Sequence, residues 1–563
     1  MLFLRRQYAT SFRSRHYVPK KTNEKPKTLH PLEPHVLSGR LKKLADKNQL
    51  DVAVSMLKNA PLAAQNTPVW NTLIWECSKA RRFKLAYELF TDMKRRGFSA
   101  TTRTFQTMFT GLSHIEDWST HQQQLKNARS LYSAYQRHAE DLKKRDPRNA
   151  ELEIDPLPAY ATILGNAEQF DELFALYYVI TKNGPPTKFL MTAIFRALSS
   201  DKASPEQSQK NAEDARVLWR EMLKFPKLDV DGALVTSAVL ALSKGQLAEE
   251  KLAFQLLREH FGLSLSGEPR ASSKLALTPP SLAAALSLCF NREKPQEAIH
   301  FFHQVLKRPG VDGGADIIDR GHMEIVFKAI QSTGSARLAL ETLDWMSTQR
   351  SSRNGVRLEP TRWIYILVLL TCQKAADWTI ATRVFNMMTG YHCHDFMDGA
   401  VSSAPRQSRR PDAFGPDPET MSAMLRVARS TENGANMRQC LRLVNYLDSV
   451  GEGLFIRKSR NLPESTRTLK KWAFDVVKMS EAVVETVDWV NANSRSTSDV
   501  ETTRWSHLRR VSLGILSQKS QSREGDGDWR VRKLSRSDRR LALRPSTREK
   551  TRPLTSYEKG FGS

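Results

Sequence analysis

The sequence predicts an all-α fold, namely an α-solenoid of stacked helical hairpins with disordered termini. The first observation is helical spacing (i, i+3, i+4, i+7) of apolar residues, seen at Trp70, Leu73, Ile74 and Cys77. The second is that this pattern returns 35 residues later, at Phe105, Met108, Phe109 and Leu112. The third is length, because 563 residues exceed one ordinary globular core. A single hairpin cannot bury its own apolar faces, so neighbouring hairpins must stack.

About nine hairpins are predicted between residues 67 and 450. The apolar residues that open their first helices are Trp70, Phe105, Tyr160, Leu190, Val235, Leu282, Met323, Tyr365 and, more weakly, Met421. Most second helices open with a small residue such as Ala86, which lets the paired backbones approach closely. Stretches rich in Gly, Pro and Ser at 199–211, 264–274, 308–316, 347–355 and 398–418 are predicted to be loops between helices.

Five segments follow from these patterns. They are a mitochondrial transit peptide at 1–25, a basic linker and helical cap at 26–66, the solenoid at 67–450, a C-terminal helical cap at 463–493 and a basic disordered tail at 504–563. The tail is expected either to contact phosphate groups without base preference or only to keep the chain soluble. No stretch reaches 18 uninterrupted apolar residues, so no membrane span is expected.

The first 21 residues contain six Lys and Arg residues and no acidic residue before Glu24. This composition, rich also in Ser, Thr and aromatic residues, is typical of a mitochondrial transit peptide. Within it, "RQYATS" resembles a matrix-processing site and predicts cleavage after Tyr8. The alternative is a disordered basic arm that stays attached. We therefore expect the mitochondrial matrix as the location.

Charge favours a polyanionic partner. The chain carries 86 Lys+Arg against 60 Asp+Glu, a formal net charge of +26. Such an excess attracts nucleic acid, although mitochondrial and ribosome-associated proteins are often basic whatever they bind. The five cysteines are scattered without a C-x-x-C pair, which predicts reduced core residues and no disulfide framework.

Three short motifs suggest chemistry but lack the residues that would complete it. His138 and Glu140 match half of a zinc-deaminase signature, yet no Pro-Cys-x-x-Cys follows, so His138 is predicted to be a solvated helix residue. "HCHD" at 392–395 has no second ligand pair for zinc. "GDGDW" at 525–529 lies in the basic tail without the α/β context of a nuclease. We expect no catalytic residue, no metal and no cofactor.

One stretch carries a family resemblance. Residues 67–98, "TPVWNTLIWECSKARRFKLAYELFTDMKRRGF", resemble a pentatricopeptide repeat, with aromatic-Asn-Thr-Leu-Ile at its start and Ala-x-x-Leu-Phe in its second helix. The second hairpin keeps "TFQTMFTGL" and the eighth keeps "ATRVFNMM". The other hairpins retain the apolar skeleton, and Ala100 stands in the region where the family usually has Pro. The resemblance therefore covers about 67–450 unevenly.

The resemblance implies candidate RNA-reading residues. In this family a polar side chain near the start of each first helix, together with a residue in the following loop, reads one base. Asn71 and Thr101 fit these roles in the first repeat. The equivalent first-helix residues are Gln106, Ala161, Met191, Thr236, Ala283, Glu324, Ile366 and Ser422. The polar loop residues are Asp231, Thr278, Asp319, Thr361 and Asp417, so the complete polar pairs are Asn71/Thr101, Thr236/Thr278 and Glu324/Thr361.

Two functions compete. The favoured one is a mitochondrial RNA-binding protein, expected to be a monomer, that acts in processing, stability or translation of messenger or ribosomal RNA, whether single-stranded or structured. The second is a protein-binding helical scaffold, such as a mitoribosome subunit or assembly factor. The excess of Lys and Arg favours RNA. A processing nuclease is disfavoured because the chain lacks a catalytic domain.

Overall fold

The computed structural model describes residues 32–226, 228–349, 358–399, 405–408, 413–450, 454–455, 466–493 and 499–521. Over these ranges the chain is helical without a named strand, and one isolated antiparallel bridge joins Tyr391 and Gln407. The predicted all-α fold of stacked hairpins is confirmed. The predicted transit peptide at 1–25, its cleavage after Tyr8, "GDGDW" and residues 522–563 of the predicted tail lie outside the described residues.

The chain divides into two compact units, residues 1–163 and 164–563. The helices that begin in the first unit are α1 (Pro34–Asp46), α2 (Leu50–Asn59), α3 (Thr67–Lys79), α4 (Phe83–Arg95), α5 (Thr102–Ser113), α6 (Gln122–Arg145) and α7 (Leu157–Asn166). Helices α1 and α2 form a hairpin within the segment predicted as an N-terminal cap.

The second unit continues the alternation. Its helices are α8 (Phe170–Asn183), α9 (Lys188–Leu198), α10 (Pro205–Met222), α11 (Gly232–Leu242), α12 (Leu247–Phe261), α13 (Pro279–Asn291), α14 (Pro295–Leu306), α15 (Arg320–Thr333), α16 (Ala336–Thr348), α17 (Arg362–Ala375), α18 (Trp378–Thr389), α19 (Pro418–Ser430), α20 (Gly434–Ser449), α21 (Thr466–Asn493) and α22 (Asp499–Gln521). Among the described residues, none of the helices is both long enough and apolar enough to cross a membrane.

Each unit has two layers. We use "first helices" for the nine odd-numbered helices α3 to α19 and "second helices" for the nine even-numbered helices α4 to α20. In the first unit α3 packs beside α1 and α5, and in the second unit α9, α11, α13, α15, α17 and α19 pack side by side in that order. The second helices pack behind them. The apolar residues predicted to face the seam are buried, as at Trp70 (0% exposed) and Leu73 (0%).

Side-chain caps begin most first helices. An oxygen of the residue before the helix accepts a hydrogen bond from the backbone N–H three residues on, which satisfies a donor that has no partner inside the helix. The capping residues are Asn66, Thr101, Thr187, Asp231, Thr278, Asp319, Thr361 and Asp417. The repeating loop residue therefore fixes where each hairpin starts.

All five cysteines are buried and unpaired, as predicted. Burial raises the pKa of Cys77 to about 11 and that of Cys372 to about 12. These thiols are protonated at neutral pH and therefore pack as small apolar groups.

The C-terminal part corrects one prediction. The tail was predicted to be disordered from residue 504, but residues 499–521 form α22, which packs against α21. Trp505 and Leu508 are each 2% exposed and Ser512 is fully buried, a helical i, i+3, i+7 face. Arg509 also pairs with Asp488 of α21, with Nε 2.6 Å from Oδ1. The prediction was wrong for 504–521 because the many basic residues obscured this short apolar face.

Candidate nucleic-acid interface

The first helices are almost free of acidic residues. Across all nine they contain only Glu76, Glu324 and Glu419, whereas the nine second helices contain seventeen Asp and Glu residues. Glu76 lies 3.0 Å from Lys79 Nζ and Glu419 lies 3.0 Å from Lys471 Nζ, so both carboxylates are paired with a cation. The layer thus presents little negative charge to an approaching polyanion.

Basic and polar side chains occupy its solvent-facing positions. On α5 the exposed residues include Arg103 and Gln106, and on α9 Arg196 is exposed at the end of a face that begins with Phe189. Neither arginine forms an ion pair with a described residue at 4 Å or less. Uncompensated guanidinium groups on an acid-poor surface are suited to phosphate oxygens.

Asn71 has an amide oxygen that the protein does not satisfy. The residue is half-buried on α3, and neither its Oδ1 nor the neighbouring Trp70 Nε1 has a hydrogen-bond partner among the described residues. The Trp70 ring is held by Phe98 at 6.2 Å between centroids and by the guanidinium of Arg96 at 5.7 Å. An unpaired, largely desolvated acceptor is costly unless a ligand or water donates to it. Because this oxygen is buried, it is not open to a base in this conformation, and base reading by Asn71 stays a prediction.

The predicted loop threonines have a structural task. The hydroxyl oxygens of Thr101, Thr278 and Thr361 accept from the backbone N–H groups of the third residue of α5, α13 and α17, at 3.4, 3.4 and 3.3 Å. An N-cap contact of this kind stabilises a helix by about 1 kcal/mol. The hydroxyls of Thr101 and Thr278 also lie 3.2 Å from Thr104 Oγ1 and 2.7 Å from Ser281 Oγ, so both are engaged within the protein in this conformation.

Thr236 is placed differently from the prediction. It is 7% exposed, its hydroxyl donates to the carbonyl of Gly232 at 2.6 Å, and it lies 2.8 Å from Ser281 Oγ. Ser281 Oγ is in turn 2.7 Å from Thr278 Oγ1. The structure thus joins the predicted pair Thr236/Thr278 through Ser281, and this buried network links α11 to α13. In this conformation Thr236 offers no free group to a base.

The remaining predicted readers differ in exposure. Gln106 is exposed, and Glu324 is half-buried and engaged with a partner. The equivalent residues that lie buried are Ala161, Met191, Ile366 and Ser422. A contact through Asn71, Gln106 or Glu324 stays a prediction. The uneven set gives little support to a regular one-base-per-repeat code.

Several basic side chains have a role that the sequence did not predict. Each reaches backward to backbone carbonyls at the end of the corresponding helix in the preceding hairpin. Lys244 donates to the carbonyls of Ser199 and Ser200 at 2.7 Å each, and Arg292 donates to that of Gly245 at 2.7 Å. Terminal carbonyls lack partners inside their helix and carry partial negative charge. Part of the positive charge therefore holds adjacent hairpins together.

Arg308 makes the equivalent contact after a second helix. It donates to the carbonyls of Phe261 and Gly262 at 2.7 and 2.8 Å, and burial lowers its pKa. The acceptors are backbone carbonyls 46 or 47 residues away. Because every residue carries a backbone carbonyl, the sequence does not mark these acceptors, and the contacts were not predicted.

Two of the motifs that lacked the residues for catalysis or metal binding make structural contacts instead. His138 was predicted to be solvated, but its Nε2 lies 3.3 Å from Thr102 Oγ1 and its ring packs 5.6 Å from Phe105. The prediction was wrong because α6 runs alongside α5 at this point. In "HCHD", Asp395 binds Arg406, whose hydrogen bonds lower the Asp395 pKa to about 2. Among the described residues no group of three or more His, Cys, Asp and Glu could hold a metal ion.

Comparison with known proteins identifies the repeat. The sequence profile of the PPR repeat family matches residues 65–114, which span the hairpin α3/α4 and helix α5. This part of the chain is similar to a pentatricopeptide repeat. The pentatricopeptide repeat that matches is the one holding Asn71 and Thr101, and the other hairpins share its helical architecture. No curated protein sequence matches the chain.

Solved structures give more distant likenesses. The pentatricopeptide repeat protein PPR10 from maize is 14% identical, with a TM-score of 0.44 over 88% of this chain and 65% of the maize chain. PPR10 in complex with an 18-nucleotide psaJ RNA element has a TM-score of 0.34 at 14% identity, covering 88% and 70%. Naa15/Naa10 bound to HypK-THB has a TM-score of 0.24 at 10% identity, covering 86% and 72%. The chain spans 65% of the length of the maize chain.

Proposed function

We propose that this chain is a pentatricopeptide-repeat protein that binds RNA along its first helices in mitochondria and acts in processing, stability or translation of organellar transcripts. The observation that carries the proposal is the distribution of acidic residues, three in the first helices against seventeen in the second. Net charge alone does not distinguish the two layers, whereas this asymmetry favours the first helices as the surface that contacts a polyanion. The proposal involves no catalytic step.

Binding follows from general electrostatics. Phosphate groups approach Arg103, Arg196 and the other cations of the first helices, and the release of counterions supplies much of the free energy. Unpaired bases can then reach the surface between phosphates, where the side chain of Gln106 is exposed. A contact with Asn71 requires its buried amide oxygen to become exposed. Repeats of this family are modules that contact RNA base by base. We therefore expect affinity that falls steeply with salt and depends weakly on sequence.

The layer assignment is tested by reversing one charge in each layer. Arg196→Glu on α9 should weaken binding of a 20-nucleotide single-stranded RNA by about three- to tenfold and make the slope of log K against log[salt] shallower by about 1. Arg220→Glu on α10 is the matched control, because this arginine is also exposed but belongs to a second helix. Fluorescence anisotropy at several salt concentrations measures both quantities.

Equal losses in the two variants would contradict the assignment to the first helices. A wild-type chain that binds no RNA would contradict the proposal itself and favour the scaffold, in which the same surface grips a protein. The mitochondrial location rests on the basic N-terminal composition. Recovery of the chain with organellar RNA tests that part.

A further inference from the structure

Three phenylalanines are exposed on helices of the second unit. Phe189 on α9 is 64% exposed, Phe290 on α13 is 51% exposed and Phe474 on α21 is 56% exposed. Helix α21 packs beside α19 and so continues the row of first helices. On the second helices the exposed large apolar side chains are one aromatic residue, Tyr178, and three aliphatic residues, Val179, Val217 and Leu247. Two of the exposed phenyl rings thus lie on acid-poor first helices, whereas the third lies on α21, which contains Asp475, Glu481, Glu485 and Asp488.

The surroundings of these rings leave room for a flat ligand. Four of the residues of α13 that are not buried lie at helical spacing and are small until the last turn, namely Pro280, Ala283, Ser287 and Phe290. Pro279 and Asn291 at the two ends of the helix are also not buried. Phe290 is therefore the last and largest side chain in a row of small ones. On α9, Phe189 shares one face with Thr192 and Arg196.

Cations accompany two of the rings. Lys478 Nζ lies 4.4 Å from the centroid of the Phe474 ring, and Lys188 Nζ lies 5.8 Å from that of Phe189. Lys188 also pairs with Asp229, at 2.6 Å from Oδ2. Lys471, one turn before Phe474, pairs with Glu419 at 3.0 Å, and Asp475 and Glu481 are the acids nearby on α21. An ammonium group beside an aromatic ring suits a base whose phosphate must also be neutralised.

We propose that Phe189, Phe290 and Phe474 are stacking platforms for unpaired RNA bases, an inference that rests on the proposed function and specifies its ligand as single-stranded. The rings are isolated on separate helices and do not form the contiguous apolar patch that a protein partner would need. Phe189 lies in the first turn of α9 and Phe290 in the last turn of α13, so one base cannot contact both. Because every base has a π-face, the platforms bind without base choice. This agrees with the buried or apolar residues found at most predicted reading positions.

The test uses the full chain and three labelled RNAs. They are a 20-nucleotide oligoadenylate, a strand of the same length whose sugars carry no bases, and a fully paired hairpin. Phe189→Ala, Phe290→Ala and Phe474→Ala should each lower the affinity for oligoadenylate by about tenfold, with an unchanged salt slope. The variant with all three substitutions should lose more affinity for oligoadenylate than any single variant. Its affinity for the abasic strand should equal that of the wild type. Tyr178→Ala is the matched control, since this aromatic ring is 53% exposed on a second helix.

The outcomes separate the two proposals. If the wild type binds oligoadenylate with a steep salt dependence but the phenylalanine variants bind it equally well, stacking is wrong and RNA binding stands. Equal losses on the abasic strand, an equal loss in Tyr178→Ala, or tighter binding of the paired hairpin would also overturn stacking. If the wild type binds none of the RNAs, the proposed function fails and the platforms fail with it. Circular dichroism spectra and melting curves matching the wild type show that the variants are folded.

Discussion

Replacing Gly165 by alanine should lower the free energy of unfolding by about 2–3 kcal/mol. A β-carbon at this position of α7 would lie 2.2 Å from the β-carbon of Ala197 and 2.9 Å from its α-carbon on α9. Those atoms belong to the backbone or are attached directly to it, so no flexible side chain can move aside. The two helices would have to separate. Urea unfolding followed by circular dichroism measures the loss.

Gly39 provides the control for this substitution. It also lies inside a helix, α1, but a β-carbon there would meet nothing within 4 Å. Gly39→Ala should therefore raise the free energy of unfolding by about 0.5–1 kcal/mol, because alanine loses less backbone entropy on folding. If Gly165→Ala were as stable as the wild type, the close approach of α7 and α9 would be incorrect.

The second large effect concerns the carboxylate of Glu250 at the start of α12. Its Oε2 accepts from Arg292 Nε at 2.8 Å, and Oε1 pairs with Lys294. The Glu250 side chain is 10% exposed. Glu250→Gln should lower the free energy of unfolding by about 2 kcal/mol, because a neutral amide leaves two cations of the neighbouring hairpin without their counterion. Glu341→Gln is the control, since its pair with Arg337 is exposed and the change should cost less than about 0.5 kcal/mol.

The same carboxylate gives a pH dependence with a definite sign. Burial opposes ionisation of Glu250, but the hydrogen bonds from Lys294 and Arg292 outweigh it and lower the pKa. A glutamate in the unfolded chain titrates near about 4.3. The stabilisation by Glu250 is thus fully present above that pH and is lost as the pH falls through the lower folded pKa. The wild type should lose more stability below pH ~4.3 than Glu250→Gln does. If the free energy of unfolding fell equally with pH in the two proteins over this acidic range, the ion pairs of Glu250 would be contradicted.

The helical hairpins could be predicted from sequence because burial is periodic. Trp70, Leu73 and Ile74 repeat a pattern whose spacing permits only a helix face, and all three are fully buried. Helix α22 was missed because its buried face is short, with Trp505, Leu508 and Ser512 inside a basic segment. Contacts such as Lys244 to the Ser199 carbonyl join residues 45 apart through the backbone, which side-chain identities do not encode.

The candidate site was predicted less completely than the fold. Asn71 was singled out as a polar group beside an apolar seam, and the structure adds that its amide oxygen lacks a partner. Thr236 looked equivalent by alignment of the hairpins, yet Ser281 from the next first helix takes its hydroxyl. Exposure of Phe189 and Phe290 depends on which helices pack beside them. A sequence gives the repeat position of a residue, but the neighbouring hairpin decides whether that position is open.

The most direct test of RNA binding along the first helices is ultraviolet crosslinking of the chain in intact mitochondria. Bound RNA would be sequenced, and crosslinked peptides would be mapped by mass spectrometry. We predict recovery of organellar RNA, with crosslinked peptides from first helices such as α3, α9 and α13. Recovery of no RNA above background, or crosslinks confined to the second helices, would contradict the account.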